Sequence, residues 1–237
     1  MHSKTIKFFQ LKNAYRYNSD SLLLADFALN FGVKNELLDV GAGCGIVGIL
    51  LKCFHPELSL SLLDIQTQNI ALIERNLQEN ALKAELFCCD FKDFISVKKF
   101  DHIISNPPFH RQNAQKSPNL HKNMSKSGSF LPLQNFIAKA DSLLAPRGVL
   151  YLCYSAQALG ELCAILEKHK LKLTKIRFVH SKKEAAARLL LAQIKKSSQS
   201  ACEVLPPLFV YDGGGLSEEM GRIGARFKGI ESRDIDA

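Results

Sequence analysis

No uninterrupted apolar run in this chain approaches the ~20 residues of a helical bilayer span, so no such span is expected. The opening stretch Met1-His2-Ser3-Lys4-Thr5 lacks the apolar core of a secretion signal, which leads to the expectation of a cytoplasmic chain. There is no Cys-x-x-Cys pair among the 7 cysteines; their number is odd, and Cys88 and Cys89 are adjacent. That pattern fits reduced thiols rather than a disulfide framework. Histidines such as His55, His110, His121 and His169 are scattered without ligand spacing, so no zinc site is expected. Internal repeats are absent, and so is the Gly-x-Gly-x-x-Gly dinucleotide fingerprint. With 237 residues, 46% of them hydrophobic, the chain can build one large domain or two small ones without a covalent or metal staple.

One excess stands out. Lys and Arg number 31 against 23 Asp and Glu, a net charge of +8 and a pI near 9.1. A basic balance raises the expectation of a polyanionic partner, RNA or DNA first; a generally basic proteome is the plainer explanation.

Strand and helix alternate along the chain from Glu36 to Leu166, the signature of a parallel sheet covered on both faces. Phe8 to Gln10 is a short candidate strand. Ser19-Asp20-Ser21 precedes the apolar run Leu22 to Leu29, so Ser19 or Asp20 can cap a helix there, or Asp20 can lie over a ligand at the first sheet strand. Glu36 to Val40 reads as a buried strand that runs straight into Gly41-Ala42-Gly43-Cys44-Gly45 and the apolar helix Ile46 to Cys53. Such glycines permit a tight turn and close approach of a ligand to the backbone. Leu58 to Leu63 is the next strand, with Asp64 at its tip; an acid there can accept both hydroxyls of a ribose, or cap the following helix, a task Thr67 can also perform. That helix is expected over Gln68 to Ala81, with Ile70, Ile73, Leu77 and Ala81 on its apolar stripe. Asp90 follows a strand at Ala84 to Cys88 and can either accept from an exocyclic amine or cap its own turn.

The stretch Asp101 to Phe109 carries the chemistry. Ile103 and Ile104 form a buried strand, and Asn106-Pro107-Pro108 stops it, because two prolines cannot donate to a sheet ladder. Asn106 to Phe109 then sit beyond the carboxyl end of a strand, where open α/β sheets bind ligands. Asn106 offers a carbonyl acceptor and an NH2 donor pair, and Phe109 a flat ring, a set suited to gripping a planar molecule that bears an amino group. Taken alone, Asn-Pro-Pro is more often a plain turn.

Further on, His110 to Phe130 has no apolar period and holds Arg111, Lys116, Lys122 and Lys126, so a long polar loop is expected. A helix over Pro132 to Leu144, a strand over Val149 to Tyr154 and a helix over Ala156 to Lys170 follow. Leu171 to Val179 and Arg188 to Ile194 read as an antiparallel hairpin at the sheet edge, with Lys182 and Lys183 in its turn. The domain is expected to occupy residues 1–211. The Gly-rich, charged segment 212–237 has the composition of a tail disordered in part.

Asp39-Val40-Gly41-Ala42-Gly43-Cys44-Gly45, Asp64, Asp90 and Asn106-Pro107-Pro108-Phe109, in this order and each at a strand end, resemble the class I S-adenosylmethionine-dependent methyltransferases. The Asn-Pro-Pro-Phe form is similar to that of enzymes modifying exocyclic or amide nitrogens. Tyr17 to Leu24, Arg177 to His180, Glu184 to Leu191 and Leu205 to Tyr211 resemble the tRNA1(Val) adenine N6-methyltransferase family, so the likeness runs from about Phe8 to Tyr211. It implies a Rossmann-like, doubly wound α/β fold with a seven-stranded, mostly parallel sheet. It implies methyl transfer from S-adenosylmethionine to the N6 amine of an adenine in tRNA, beside the anticodon.

In that scheme Asn106 and the Pro107 carbonyl grip the amine and Phe109 stacks on the base. Asp64 takes the cofactor's ribose, Gly41 and Gly43 let it approach, and Asn106 borders it. Asp39 meets its amino-acid end with Asp20 as a further contact, Ile65 flanks its adenine, and Asp90 accepts from the adenine's amino group. The basic loop Arg111 to Lys126, with Lys182, Lys183 and Arg188, would follow RNA phosphates. His110-Arg111-Gln112 departs from the pattern, since Asn-Pro-Pro-Phe-His looks more like the rRNA guanine N2-methyltransferases, which usually carry a second, degenerate domain that this chain is too short to hold. Protein glutamine N5-methyltransferases share Asn-Pro-Pro but add an N-terminal helical domain, for which the roughly thirty-five residues before the first motif are too few. A non-catalytic RNA-binding protein keeping the same fold is the remaining alternative.

Overall fold

A computed structural model describes residues 5–11, 18–107 and 131–235. In chain order its principal elements are strand β1 (Ile6–Leu11), helix α1 (Ser19–Phe31), β2 (Glu36–Val40), α2 (Ile46–Phe54), β3 (Ser59–Asp64), α3 (Thr67–Glu79), β4 (Glu85–Cys88), β5 (Phe100–Ser105), α4 (Leu133–Leu143), β6 (Leu144–Ser155), α5 (Leu159–Leu166), β7 (Leu171–His180) and β8 (Ala187–Lys196). Four two-residue strands come next, β9 (Glu203–Val204), β10 (Leu208–Phe209), β11 (Tyr211–Asp212) and β12 (Gly215–Leu216), and then α6 (Glu218–Arg226) and β13 (Ile230–Ile235).

The central sheet runs β4-β3-β2-β5-β6-β8-β7, with β10 and β9 both pairing the outer side of β7 to make nine strands rather than the expected seven. All are parallel except β8, which is antiparallel to both β6 and β7. β7 and β8 form the expected hairpin, and β8 enters between β6 and β7. β2 is buried along four of its five residues, as a central parallel strand with helices on both faces must be. Two apolar clusters flank the sheet. One gathers α1, α2 and α3 with Leu37, Leu62 and Ile104; the other gathers α4 and α5 with Leu38, Ile103 and Leu150. The chain proceeds outward from β2 to β3 and β4, then returns to β5 on the other side of β2. This reversal opens a crevice at the carboxyl ends of β2 and β5, the ligand position of doubly wound sheets.

Three expectations are corrected. Segment 212–235 is ordered rather than a tail. Its apolar Ile223 and Phe227 join the α1–α3 core, Arg226 Nη1 donates to Asp26 Oδ1 at 2.6 Å, and β13 pairs in parallel with β1. Composition missed this because the order comes from partners distant in sequence. Helix α1 is capped by Asn18, whose Oδ1 accepts the Asp20 amide at 3.0 Å, not by Ser19 or Asp20. The buried face of α3 is Asn69, Leu72, Ile73, Asn76 and Leu77, one step round from the expected stripe, and Gln66 rather than Thr67 stands at its N-cap. β1 explains the shift. It lies on α3, where Asn76 Oδ1 accepts the Phe9 amide at 2.7 Å and Asn80 Oδ1 accepts the Lys7 amide at 3.0 Å. The asparagines complete a strand that lies outside the main sheet.

Among the described residues no helix is long and apolar enough to cross a membrane.

Candidate active site

The turn after β2 reverses within five residues because Gly41 and Gly43 adopt φ of 70° and 61°, a region that costs an L-residue roughly 1–2 kcal/mol. Backbone and carboxylate hold it. The Leu63 carbonyl accepts the Gly41 and Ala42 amides at 2.9 and 3.0 Å, and Asp64 Oδ2 accepts the Gly43 amide at 2.9 Å. From the other side, the fully buried Asn76 donates through Nδ2 to the Cys44 carbonyl at 2.9 Å. A Cβ added at Gly41 or Gly43 would meet nothing within 4 Å. Both glycines line the cleft, so the space above them is open to a ligand.

Helix α2 leaves this turn pressed against the sheet. A Cβ at Gly48 would lie 2.8 Å from Leu62 Cδ2 and 3.0 Å from Asp39 Oδ2. The close approach lets the Gly48 amide donate to Asp39 Oδ2 at 2.8 Å. Asp39 is only 2% exposed, and burial pushes its carboxyl up to about 7, with the Asp64 charge adding to the effect and the Gly48 bond opposing it.

At the end of β5, Val40 pairs with Ser105, so Gly41 and Asn106 leave neighbouring strands side by side. Ser105 Oγ ties the two strands by donating to the Val40 carbonyl at 2.8 Å. Asn106 Nδ2 donates to Ser21 Oγ at 3.2 Å. In this arrangement the NH2 lies towards α1 and Oδ1 is left as an acceptor. The cleft is lined by Ser21, Asp39, Cys44, Val47 and Asn106 together with Gly41, Ala42, Gly43 and Ile46.

Of the residues expected from sequence, Asp39, Gly41, Gly43 and Asn106 meet in this cleft; Asp20, next to Ser21, and Asp64, bonded to Gly43, border it, and Ile65 and Asp90 follow the ends of β3 and β4. Asp64 sits beneath the glycine turn; besides Gly43 it accepts the Gln66 amide at 2.9 Å. Ile65, at the tip of β3, is 43% exposed, an apolar surface the protein leaves uncovered. Asp20 is buried and accepts from Arg188 Nη2 at 2.9 Å. Asp90 takes the turn-capping position, accepting the Lys92 amide at 3.0 Å, and pairs with Lys92 Nζ at 3.2 Å. Pro107 continues from Asn106 as half-buried chain. Phe109, Arg111, Lys116, Lys122 and Lys126 lie outside the described residues.

Two contributors escaped the sequence reading. In sequence Ser21 reads only as one of the residues preceding the apolar run of α1, and nothing there gives Asn76 a role. Cys44 lines the cleft, but burial pushes its thiol up to about 12, so it stays protonated and is no nucleophile at neutral pH. Among the described residues the cleft thus offers carbonyl-type acceptors, a buried carboxyl and a backbone cradle, and no activated nucleophile. It is built to hold and aim reactants rather than to bond to them. The open glycine cradle, the acid at the β3 tip and the bare Ile65 beside it fit a nucleoside-bearing ligand.

Solved structures share this architecture. A predicted O-methyltransferase from Agrobacterium tumefaciens superposes with a TM-score of 0.69 at 19% identity, covering 91% of this chain and 100% of that one. A ribosomal protein L11 methylase from Lactobacillus delbrueckii superposes with a TM-score of 0.57 at 19% identity, covering 79% and 83% of the two chains. The fold is that of the class I S-adenosylmethionine-dependent methyltransferases. Residues 17–182 match the methyltransferase small domain, and the chain belongs to that family of S-adenosylmethionine-dependent enzymes.

Among curated proteins it is similar to the tRNA1(Val) (adenine(37)-N6)-methyltransferase of Flavobacterium johnsoniae, 24% identical over 200 residues, 82% of this chain and 84% of that protein. A protein of the same name from Flavobacteriaceae bacterium (strain 3519-10) is 30% identical over 141 residues, 59% of each chain. Ribosomal RNA small subunit methyltransferase C of Pasteurella multocida is 41% identical over 78 residues. That match spans about a quarter of the ribosomal enzyme's length, 24%, and 33% of this chain.

Proposed function

We propose that this chain methylates an exocyclic amine of an RNA base, the N6 of an adenine beside the anticodon of a tRNA. The observation that carries the reading is the position of Asn106: it shares one cleft with the glycine turn and bonds to Ser21 Oγ on α1. The names of the relatives aligned over most of this chain support RNA, and adenine within it.

S-adenosylmethionine, when bound, supplies a methyl group on a positively charged sulfur. Gly41 and Gly43 would let it lie against the backbone, Asp64 would accept its ribose hydroxyls, Ile65 would cover one face of its adenine, and Asp90, while capping its own turn, would accept from the adenine amine. Asp39 faces its amino-acid end, with Asp20 behind Ser21. The amine of the target base is a poor nucleophile, because its lone pair is delocalised into the ring. Asn106 Oδ1 and the Pro107 carbonyl each accept one N–H. That draws the nitrogen out of conjugation and stabilises the positive charge that develops on it. Holding the two reactants in line supplies much of the remaining acceleration. The target base must leave its stack to enter such a cleft, and Phe109 would receive it. Lys182 and Lys183, both exposed, and Arg188 would meet phosphates, in a cytoplasmic setting.

The stronger local identity to the rRNA enzyme over 78 residues favours a second reading, a base of small-subunit rRNA, for which the Asn-Pro-Pro-Phe-His resemblance implies guanine N2. Nucleoside mass spectrometry of tRNA and rRNA from cells with and without this protein separates the two. Loss of N6-methyladenosine from tRNA is the expected result. Loss of N2-methylguanosine from small-subunit rRNA selects the second reading, and unchanged nucleosides in both pools overturn both.

A further inference from the structure

Far along the sheet from the glycine turn, β11 and β12 form a hairpin closed by Gly213 and Gly214, at φ of 58° and 94°. Tyr211 pairs with Leu216 across it, so the two side chains stand on one face, 52% and 62% exposed. The base of the hairpin is firmly seated. The Val210 and Tyr211 amides donate to the His180 and Ser181 carbonyls, each at 2.9 Å, and Ser217 Oγ donates to the Phe209 carbonyl at 2.6 Å. An aromatic ring is therefore held out from a fixed backbone with an apolar neighbour beside it.

Topology sets this hairpin on the same rim as Asn106. β5, β6, β7 and β10 run in one direction, so the carboxyl ends of β7 and β10 point the way the end of β5 does, and the antiparallel β8 begins there. A chain of contacts joins the two places. Ser21 holds the Asn106 amide, its neighbour Asp20 pairs with Arg188 at 2.9 Å, and the turn from β7 to β8 carries Lys182 and Lys183. Lys183 lies 3.6 Å from Asp212 of the hairpin. Along this strip Lys182, Lys183 and Arg188 stand with three acids, Asp20, Glu184 and Asp212, of which Asp20 pairs with Arg188 and Asp212 with Lys183.

We propose that this rim carries the single-stranded RNA flanking the target nucleotide, with the Tyr211 ring as the platform on which an unpaired base stacks. The inference rests on the RNA-methyltransferase reading above. Basic side chains alternating with an exposed ring are the usual means of holding unpaired nucleic acid, since every base presents a π-face. A duplex would hide those faces. Two apolar side chains are far too small a patch for a stable dimer, which buries about 800 Å² per partner.

The test uses the full chain and two fluorescent probes, a twelve-residue oligoadenylate and unfractionated tRNA. Tyr211→Ala is expected to weaken oligoadenylate binding about tenfold, while Tyr211→Phe stays within about twofold because the ring remains. Replacing Lys182 and Lys183 together by Gln is expected to flatten the slope of log Kd against log salt by about 1.4. S-adenosylmethionine affinity and thermal stability stay at wild-type values in all three, which separates lost contact from lost fold. Wild-type RNA binding that is indifferent to Tyr211→Ala overturns this surface and leaves the methyltransferase reading standing. A dimer in solution that Leu216→Ser dissociates overturns it in favour of a second copy. A wild-type chain that binds S-adenosylmethionine but neither RNA overturns both readings.

Discussion

The side-chain amide of Asn106 donates to Ser21 Oγ at 3.2 Å, joining residues 85 positions apart with the NH2 towards α1. An amide free to rotate presents its NH2 to the incoming amine for part of the time, and an NH2 repels the N–H it should accept. Ser21→Ala is therefore expected to lower kcat on tRNA roughly tenfold, and Asn106→Ala to lower it roughly a hundredfold or more. Both variants should bind S-adenosylmethionine within about threefold of wild type, a loss smaller than one hydrogen bond. Equal kcat for Ser21→Ala and wild type would remove the orienting role from that hydroxyl.

Asn76 is the hub beneath the turn. With no exposed surface, it accepts the Phe9 amide at 2.7 Å and donates to the Phe9 and Cys44 carbonyls at 3.2 and 2.9 Å. Asn76→Leu fills the volume but strands three buried backbone groups, at a cost of about 3 kcal/mol or more. In a chain of this size that corresponds to a fall in Tm of roughly 6–12 °C. Because one stranded group belongs to the glycine turn, S-adenosylmethionine affinity should fall as well. Thermal melting and calorimetric titration check the two effects together, and a lower Tm with unchanged affinity would uncouple Asn76 from the turn.

Two glycines separated by one turn of structure should fail in opposite ways. At Gly41 a methyl group has open space but the wrong φ, and it would project over the cradle. Gly41→Ala is expected to reduce cofactor affinity tenfold or more, an estimate of the order of one lost close approach, with a stability cost of only ~1 kcal/mol. At Gly48 the methyl meets Leu62 and Asp39 at 2.8 and 3.0 Å, so Gly48→Ala overpacks the α2–sheet contact and should cost about 1–3 kcal/mol. Denaturant melts read one effect and cofactor titration the other.

What was legible in the sequence follows from the reach of each interaction. The glycine turn, Asp39, Asp64 and Asn106 all sit within a residue or two of a strand end, and a short apolar run marks that end plainly. Asp39, Gly41, Gly43 and Asn106 accordingly meet in one cleft. Residues whose partners lie far away were misread. The α3 stripe was placed one step round because Asn76 and Asn80 are buried by β1, and polar residues give no apolar period. Segment 212–235 looked too polar to order, and it owes its order to α1 and β1, at the other end of the chain. Ser21 reads in sequence as a residue preceding an apolar run, and only the fold brings Asn106 to it.

The buried carboxyl of Asp39 makes cofactor binding sensitive to pH. Its ordinary value of 3.8 is pushed up to about 7, chiefly by burial. Between those values the folded chain holds a proton that the unfolded chain releases. This group's contribution to stability therefore declines as pH rises through the window and is constant above about 7. A cationic amino group placed against Asp39 favours the ionised form, so binding near pH 6 must expel a proton. Affinity for S-adenosylmethionine is expected to rise about tenfold between roughly pH 5.5 and 7. Titration calorimetry in two buffers of different ionisation enthalpy should show release approaching one proton at the lower pH. Asp39→Asn keeps an oxygen for the Gly48 amide but has no proton to lose, and its affinity should be lower and flat over the same range. Wild-type binding that releases no proton would mean that the cation does not sit against this carboxylate, and that Asp39 serves only to hold α2 to the sheet.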